Sequence, residues 1–197
     1  MSSTTEPKLA PPGAGLPTIE LFVARILFGM RLRLGNRDSF TAQFQREREA
    51  IRVLVRTCSE ESGARRVLIR RPPGLEDSSR YWSVWMTLDH LRIVHQEIAR
   101  VIGALTHGDR PPGRASTAAV KPSPDASSAI VADYEQSCDA LLAIVDGASQ
   151  LNTVTRFIHP WFGPLNAAGW HALAAGHMGI HRVQIERILQ GLPTAAK

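Results

Sequence analysis

Cysteine is scarce in this sequence, with only Cys58 and Cys138 among 197 residues. The two do not form a CxxC pair, and one crosslink cannot staple a chain of this length. The N-terminal segment, MSSTTEPKLAPPGAGLP, also lacks the basic start and the apolar core of a signal peptide. We therefore expect reduced or buried thiols in a cytoplasmic protein that is not exported.

Long uninterrupted apolar runs are lacking as well. The most apolar early stretch, residues 21–34, contains Arg25, Arg31 and Arg33, so it is too short and too charged to span a bilayer. The net charge is +5, and the basic residues concentrate in segment 46–71, where glutamates alternate with the first arginines as on a solvated helix face. No helix-turn-helix, zinc-finger or aromatic-basic strand motif accompanies this charge. We expect a protein that binds neither nucleic acid nor membranes.

What the sequence does contain is helical periodicity over most of its length. The chain suits one domain rather than two, so we expect a flexible tail at residues 1–16 and a single helical domain at 17–197. No segment shows strand alternation, although residues 67–73 could be a short extended piece. The predicted fold class is all-α, an up-down four-helix bundle with an extra N-terminal helix. Apolar spacing places the five helices at about 19–34, 39–58, 79–105, 125–147 and 166–191.

Capping and helix-breaking residues set the boundaries of these helices. Asp38 or Ser39 is expected to cap the second helix, Asp125 the fourth and Asn166 the last. Glycines and prolines interrupt residues 107–125 and predict a long loop there. Such a loop could cover a functional site or be a surface excursion.

Two histidines share one face of the last helix. A helix returns to the same face after three, four and seven residues, so His177 and His181 could converge on a single metal ion. They could instead be core histidines that bond to backbone or ordered water. Gln184, one turn further on, could orient a ligand or bond across the bundle. The stripe that they share consists of Trp170, Ala174, His177, His181, Gln184 and Ile188.

A third ligand has to come from another helix, and His90 is the leading candidate because it lies on an apolar stripe of the third helix. Glu97 follows on that stripe as a carboxylate that could support a ligand, or could face solvent and pair with Arg100. The neighbouring stripe carries His95, which the pattern alone does not exclude. His159 precedes the last helix and could line the mouth of a pocket or fix a turn.

The runs WSVWMTLDHL and HMGIHRVQI resemble the DinB/YfiT-like superfamily, whose members are four-helix bundles with a histidine on one helix and HxxxHxxQI on the last. The segment HPWFGPLNAAGW resembles one branch of that family, and the similarity covers residues 40–190. The resemblance implies that His90, His177 and His181 bind a divalent metal ion, most often zinc or nickel. It also implies a small-molecule substrate, in several relatives a low-molecular-weight thiol.

Three neutral imidazoles leave a divalent ion an open position, which is typical of catalytic sites. Such an ion could activate a water or a thiol, so we expect a metal-dependent hydrolase or thiol-dependent transferase, with no catalytic residue assigned. No ExxH or HExxH motif occurs, which excludes a di-iron site and a zincin-type protease. The alternative is a non-catalytic metal-binding or dimerising module. The apolar N-terminal helix predicts a homodimer in either case.

Overall fold

The structure is a computed structural model that describes residues 6–193. It is mostly helical, and four long helices form a bundle, so the predicted all-α fold with an extra N-terminal helix is confirmed. Helix α3, of five residues, was not expected. The helices are α1 (Thr18–Leu34), α2 (Arg37–Val55), α3 (Glu60–Ala64), α4 (Val84–Thr106), α5 (Ile130–Gly147) and α6 (Ala167–Gln190).

The bundle helices α2, α4, α5 and α6 run up, down, down and up rather than alternating as predicted. A long connection, residues 107–129, joins α4 to α5, so these two helices can run parallel. The directions of the helices follow from pairs of contacts. Helix α2 is parallel to α6, as shown by the contacts Thr41–His171 and Glu47–Arg182, and α5 is antiparallel to α2, as shown by Arg37–Ala148 and Arg48–Asp139. Helix α4 is antiparallel to α6, as shown by His90–His177 and by the contact of His181 with Trp82, just before α4.

Two short antiparallel hairpins add to the predicted all-α fold, and the first begins within residues 67–73, which the sequence offered as a short extended piece. Strand β1 (Val67–Leu68) pairs with β2 (Tyr81–Trp82), and β3 (Phe157–His159) pairs with β4 (Gly163–Leu165). Strands of two or three residues are too short for side-chain alternation to show in a sequence. Because β2 precedes α4, the helix begins at Val84, and its predicted start at residue 79 lies in a 3₁₀ turn.

Side chains cap the N-termini of α2, α3, α4 and α6, though not always from the predicted residue. Asn36 caps α2, because its side chain accepts from the backbone N–H of Ser39 while Ser39 Oγ accepts from the N–H of Asn36. Asn166 caps α6 as predicted. Helix α5 begins at Ile130 rather than near Asp125, and the segment just before it is tied to α3 by the Ser128 N–H, which donates to the Glu60 carboxylate.

Helix α1 lies against the bundle without burying any residue completely. Phe28 stacks on Phe162 with ring centroids 4.4 Å apart, and Arg25 Nε donates to the carbonyl of Trp161 at 2.6 Å. The opposite face exposes apolar side chains, and the expected homodimer stays a prediction. No helix within residues 6–193 combines the length and apolar character that a membrane crossing requires.

The segment expected to be a flexible tail makes contacts where the structure describes it. The backbone N–H of Ala10 donates to Asp77 and that of Gly13 donates to Glu76. Residues 1–5 and 194–197 lie outside the described part of the chain. The division into a tail at residues 1–16 and a domain at 17–197 therefore stays a prediction.

His95 is a fully buried core residue on the side of α4 that faces α5. Its Nδ1 lies 3.2 Å from Ser137 Oγ, and its Nε2 has no hydrogen-bond partner among residues 6–193. Burial, followed by the charges of His90 and Arg48, lowers the pKa of His95 to about 3. The folded protein therefore keeps this imidazole neutral at pH values where the unfolded chain protonates it.

This burial predicts that acid weakens the fold well before carboxylates titrate. The neutral ring of His95 contributes fully to the free energy of unfolding above the unfolded pKa of about 6.5, and this contribution is lost as the pH falls towards the folded pKa. We expect the urea midpoint, measured with chelator present, to fall between about pH 7 and pH 5. The variant H95Q should show a shallower dependence, and H107Q, at an exposed histidine, should keep the wild-type slope. An unchanged slope in H95Q would contradict this account.

Candidate metal centre

Three histidines from two helices meet at one point inside the bundle. The Nε2 atom of His177 lies 3.0 Å from Nε2 of His181 and 3.3 Å from Nε2 of His90. One ring nitrogen from each residue lies within 4.8 Å of the other two. His90 and His181 are buried and His177 is half-buried. The structure thus brings together the three residues that the resemblance implied, whereas His95 faces α5.

His90 is oriented by a backbone carbonyl from the long α4–α5 connection. Its Nδ1 lies 2.6 Å from the oxygen of Val120. A carbonyl oxygen only accepts, so the hydrogen-bond network assigns the ring proton to Nδ1. The Nε2 atom of His90 therefore directs a lone pair at the other two histidines.

His181 is oriented in the same way by Gln184. Its Nδ1 lies 2.6 Å from Oε1 of Gln184, whose Nε2 in turn donates to the carbonyl of Ser79 at 2.7 Å. That second bond fixes the orientation of the amide, so the His181 proton also lies on Nδ1. Gln184 is fully buried and holds the ring of His181.

His177 cannot satisfy both of the lone pairs that face it. Its Nδ1 is buried and has no hydrogen-bond partner in the described part of the chain. If its proton is on Nε2, it can donate to only one neighbour; if its proton is on Nδ1, three lone pairs converge. A tetrahedral ion with metal–nitrogen distances of about 2.0–2.1 Å holds its nitrogens about 3.3 Å apart. The donor set therefore fits a divalent ion that favours imidazole.

Burial keeps these imidazoles in the form that binds metals. It lowers the pKa of His90 to about 4. It also lowers the pKa of His177 and of His181 well below the ordinary value, and neighbouring imidazoles add to the effect. All three rings are consequently neutral at neutral pH, which metal coordination requires.

The connection that carries Val120 is anchored beside the centre by Glu76. This buried carboxylate accepts from Thr117 Oγ1 at 2.8 Å and from Lys121 Nζ at 3.3 Å. The Lys121 ammonium also lies 5.3 Å from the ring centroid of Trp82, which packs 5.1 Å from His90. The predicted loop therefore covers the centre.

Glu97 lines the cavity beside the centre but makes no hydrogen bond to His90. Its carboxylate pairs with Arg100 at 2.8 Å and is half exposed, which is the alternative that the sequence left open. Val120 takes the supporting position instead. A backbone carbonyl on a loop leaves no side-chain signal in the sequence, so this partner could not be found beforehand.

A cavity of about 660 Å³ opens onto the three histidines. Its walls come from α1, α4, α6 and four other parts of the chain, which are Leu16 and residues within 74–79, 114–121 and 157–162. His159 lines the cavity as one of its expected roles; its Nδ1 accepts from the N–H of Trp161 at 3.2 Å, and burial lowers its pKa to about 4. The centre is therefore enclosed by protein on one side and open to a ligand-sized space on the other.

Comparisons with known proteins agree with this architecture. The family model described as DinB superfamily matches residues 43–185, well over half of the chain. The crystal structure of TT2238, a four-helix bundle protein, is 21% identical with a TM-score of 0.57, and the match covers 77% of this chain and 98% of that one. At this identity the likeness shows the fold alone. A search of curated proteins finds no match.

The assigned proton positions can be tested by nitrogen NMR of the imidazoles in the metal-free protein. We expect His90 and His181 to carry their protons on Nδ1. Replacing Gln184 with leucine removes the acceptor, so His181 should then populate the Nε2–H form. The control Q43L changes a half-buried glutamine that donates to the carbonyl of Ala175 and makes no hydrogen bond to the three histidines. A proton on Nε2 of His181 in the wild type would refute the assignment.

Proposed function

The chain belongs to the DinB superfamily, and on that premise we propose that it is a divalent-metal-dependent enzyme in which His90, His177 and His181 hold one ion. Zinc or nickel is the proposed ion, because neutral imidazole suits both. The observation that carries the proposal is the convergence of three imidazole Nε2 atoms that do not have enough protons to satisfy one another.

Two features favour a catalytic over a structural ion. A structural site closes its coordination with four protein ligands, whereas this one offers three histidines beside a cavity. The ligands are uncharged, so they would leave the full charge of the ion available. When bound, such an ion would supply Lewis-acid chemistry that lowers the pKa of a water or thiol beside it.

The residues around the centre keep its geometry and pack against the imidazole rings. Gln184 and the Val120 carbonyl each fix one imidazole ring and raise its basicity as a ligand. Trp82 covers His90 on one side, and the α4–α5 connection covers it on another. The chain thereby supplies a preformed site for the reacting group.

The cavity favours transfer of a low-molecular-weight thiol over hydrolysis. Its two carboxylates, Glu76 and Glu97, are ion-paired with Lys121 and Arg100, so neither is a free general base for water. A thiol needs less assistance, because it is already a few per cent thiolate at neutral pH. In the transfer, the sulfur–hydrogen bond breaks and its proton is released. The thiolate sulfur then bonds to an electrophilic carbon of the substrate as the bond from that carbon to its leaving group breaks, and the leaving group departs with the electron pair of that bond and takes up a proton.

Metal analysis of single variants tests the ligand set. We expect purified protein to bind about one divalent ion per chain, and each of H90A, H177A and H181A to weaken binding by at least about 100-fold, because each removes a ligand. Q184L should weaken it about 10–100-fold. The matched control H107A, at an exposed histidine, should retain full occupancy.

Circular dichroism on the same variants separates a catalytic ion from a structural one. Helical content should be preserved in the alanine variants, since α2, α4, α5 and α6 share an apolar core. Full occupancy in H177A or H181A would show that the ligands are wrong. Loss of metal together with loss of helicity would favour the non-catalytic, metal-stabilised module.

Cobalt substitution distinguishes the thiol from water. Adding a small thiol such as cysteine to the cobalt(II) protein should produce a sulfur-to-cobalt charge-transfer band that is absent from H177A. Saturating thiol without such a band would exclude the transferase and leave hydrolysis as the reaction.

A further inference from the structure

Helix α1 adds a wall to the cavity that the family model does not include. The matched segment begins at residue 43, whereas α1 ends at Leu34. One face of α1 is turned towards the cavity with the spacing of successive helical turns. The residues on that face are Ala24, Leu27, Phe28 and Arg31.

Arg31 differs from the other basic residues of this cavity in its hydrogen bonding. Its Nε and Nη2 atoms are buried and have no hydrogen-bond partner among residues 6–193. Glu47, the acid that acts on its charge, bonds instead to Arg182 at 2.6 Å. A guanidinium has five N–H donors and stays charged in proteins, so donors left unmatched inside a protein call for a partner.

The other basic residues of the cavity do not have this deficit. Arg100 pairs with Glu97, and Lys121 pairs with Glu76. Arg114 lies exposed on the α4–α5 connection. Arg31 is therefore the cavity cation whose buried donors are available to a bound molecule.

A second unmatched donor lines the same cavity. Trp170 is 4% exposed, and its indole Nε1 has no partner in the described part of the chain. Buried indole N–H groups usually find an acceptor. Arg31 and Trp170 together offer N–H groups and no acceptor, so they match a ligand group that only accepts.

The separation between these donors and the three histidines sets the size of the ligand. Arg31 packs over Phe40, whose ring meets His171 edge-on at 5.8 Å. His171 precedes His177 by six residues on α6, about 9 Å along the helix axis. Much of the lining is apolar, including Leu27, Phe28, Val94, Val101, Phe157, Trp170 and Leu173.

From these observations we propose that the cavity binds a small organic molecule with an apolar body and one carboxylate, and that Arg31 and Trp170 bind the carboxylate. The other end of the molecule then faces His90, His177 and His181. A guanidinium binds a carboxylate through two parallel N–H bonds, which fixes the orientation of the ligand. The identity of the reacting end rests on the proposed function, whereas binding of the carboxylate does not need the metal.

Calorimetry with octanoate and its uncharged counterpart octanamide tests this assignment. The two probes have the same chain and differ in charge at one end. We expect metal-free wild-type protein to bind octanoate at least about tenfold more tightly than octanamide. R31M, which keeps an apolar stem and removes the charge, should lose that preference. R31K should retain part of it, and W170F should reduce it by a few-fold.

Controls separate this inference from the proposed metal site. R33M removes an exposed arginine of the same helix and should keep the wild-type preference for octanoate. The comparison uses metal-free protein, so failure of the metal proposal would leave this result standing. Equal affinity for the two probes in the wild type, or no octanoate binding, overturns the inference. A preference that appears only with metal loaded also overturns it, because the ion rather than Arg31 would then bind the carboxylate.

Discussion

A shortage of protons among three buried imidazoles governs the centre of this protein. His90 and His181 each commit the ring proton to an acceptor outside the cluster, and both then face His177 with lone pairs. Burial lowers the pKa of all three rings, so the deficit is not relieved by protonation at neutral pH. Such a set of lone pairs accommodates a cation best. The Val120 carbonyl and Gln184 hold the rings of His90 and His181 in this orientation.

The pairing of His177 with His181 could be predicted from the sequence because a regular helix fixes which side chains share a face. Periodicity alone did not decide between His90 and His95, which lie on adjoining stripes of α4. Packing decides: His95 faces Ser137 of α5, and His90 faces α6. The resemblance to a known family, and not the periodicity, favoured His90 over His95.

Other parts of the site had no signal in the sequence. The carbonyls of Val120 and Ser79 orient the ligands and their partner, yet any residue at those positions offers the same oxygen. Glu97 lies two turns beyond His90, but solvent and Arg100 compete for its carboxylate there. Helix α3 and the two hairpins are too short for periodicity to reveal, and the parallel course of α4 and α5 depends on how a long connection crosses the bundle.

That connection has a consequence for access to the centre. The same segment covers the cavity and supplies the oxygen that holds the ring of His90. A displacement large enough to uncover the cavity at this edge also breaks the bond from Nδ1, which frees the ring to rotate. The position of this segment and the ring orientation of His90 are therefore coupled. The Nε2 lone pair of His90 is held towards His177 only while the Val120 carbonyl stays in place.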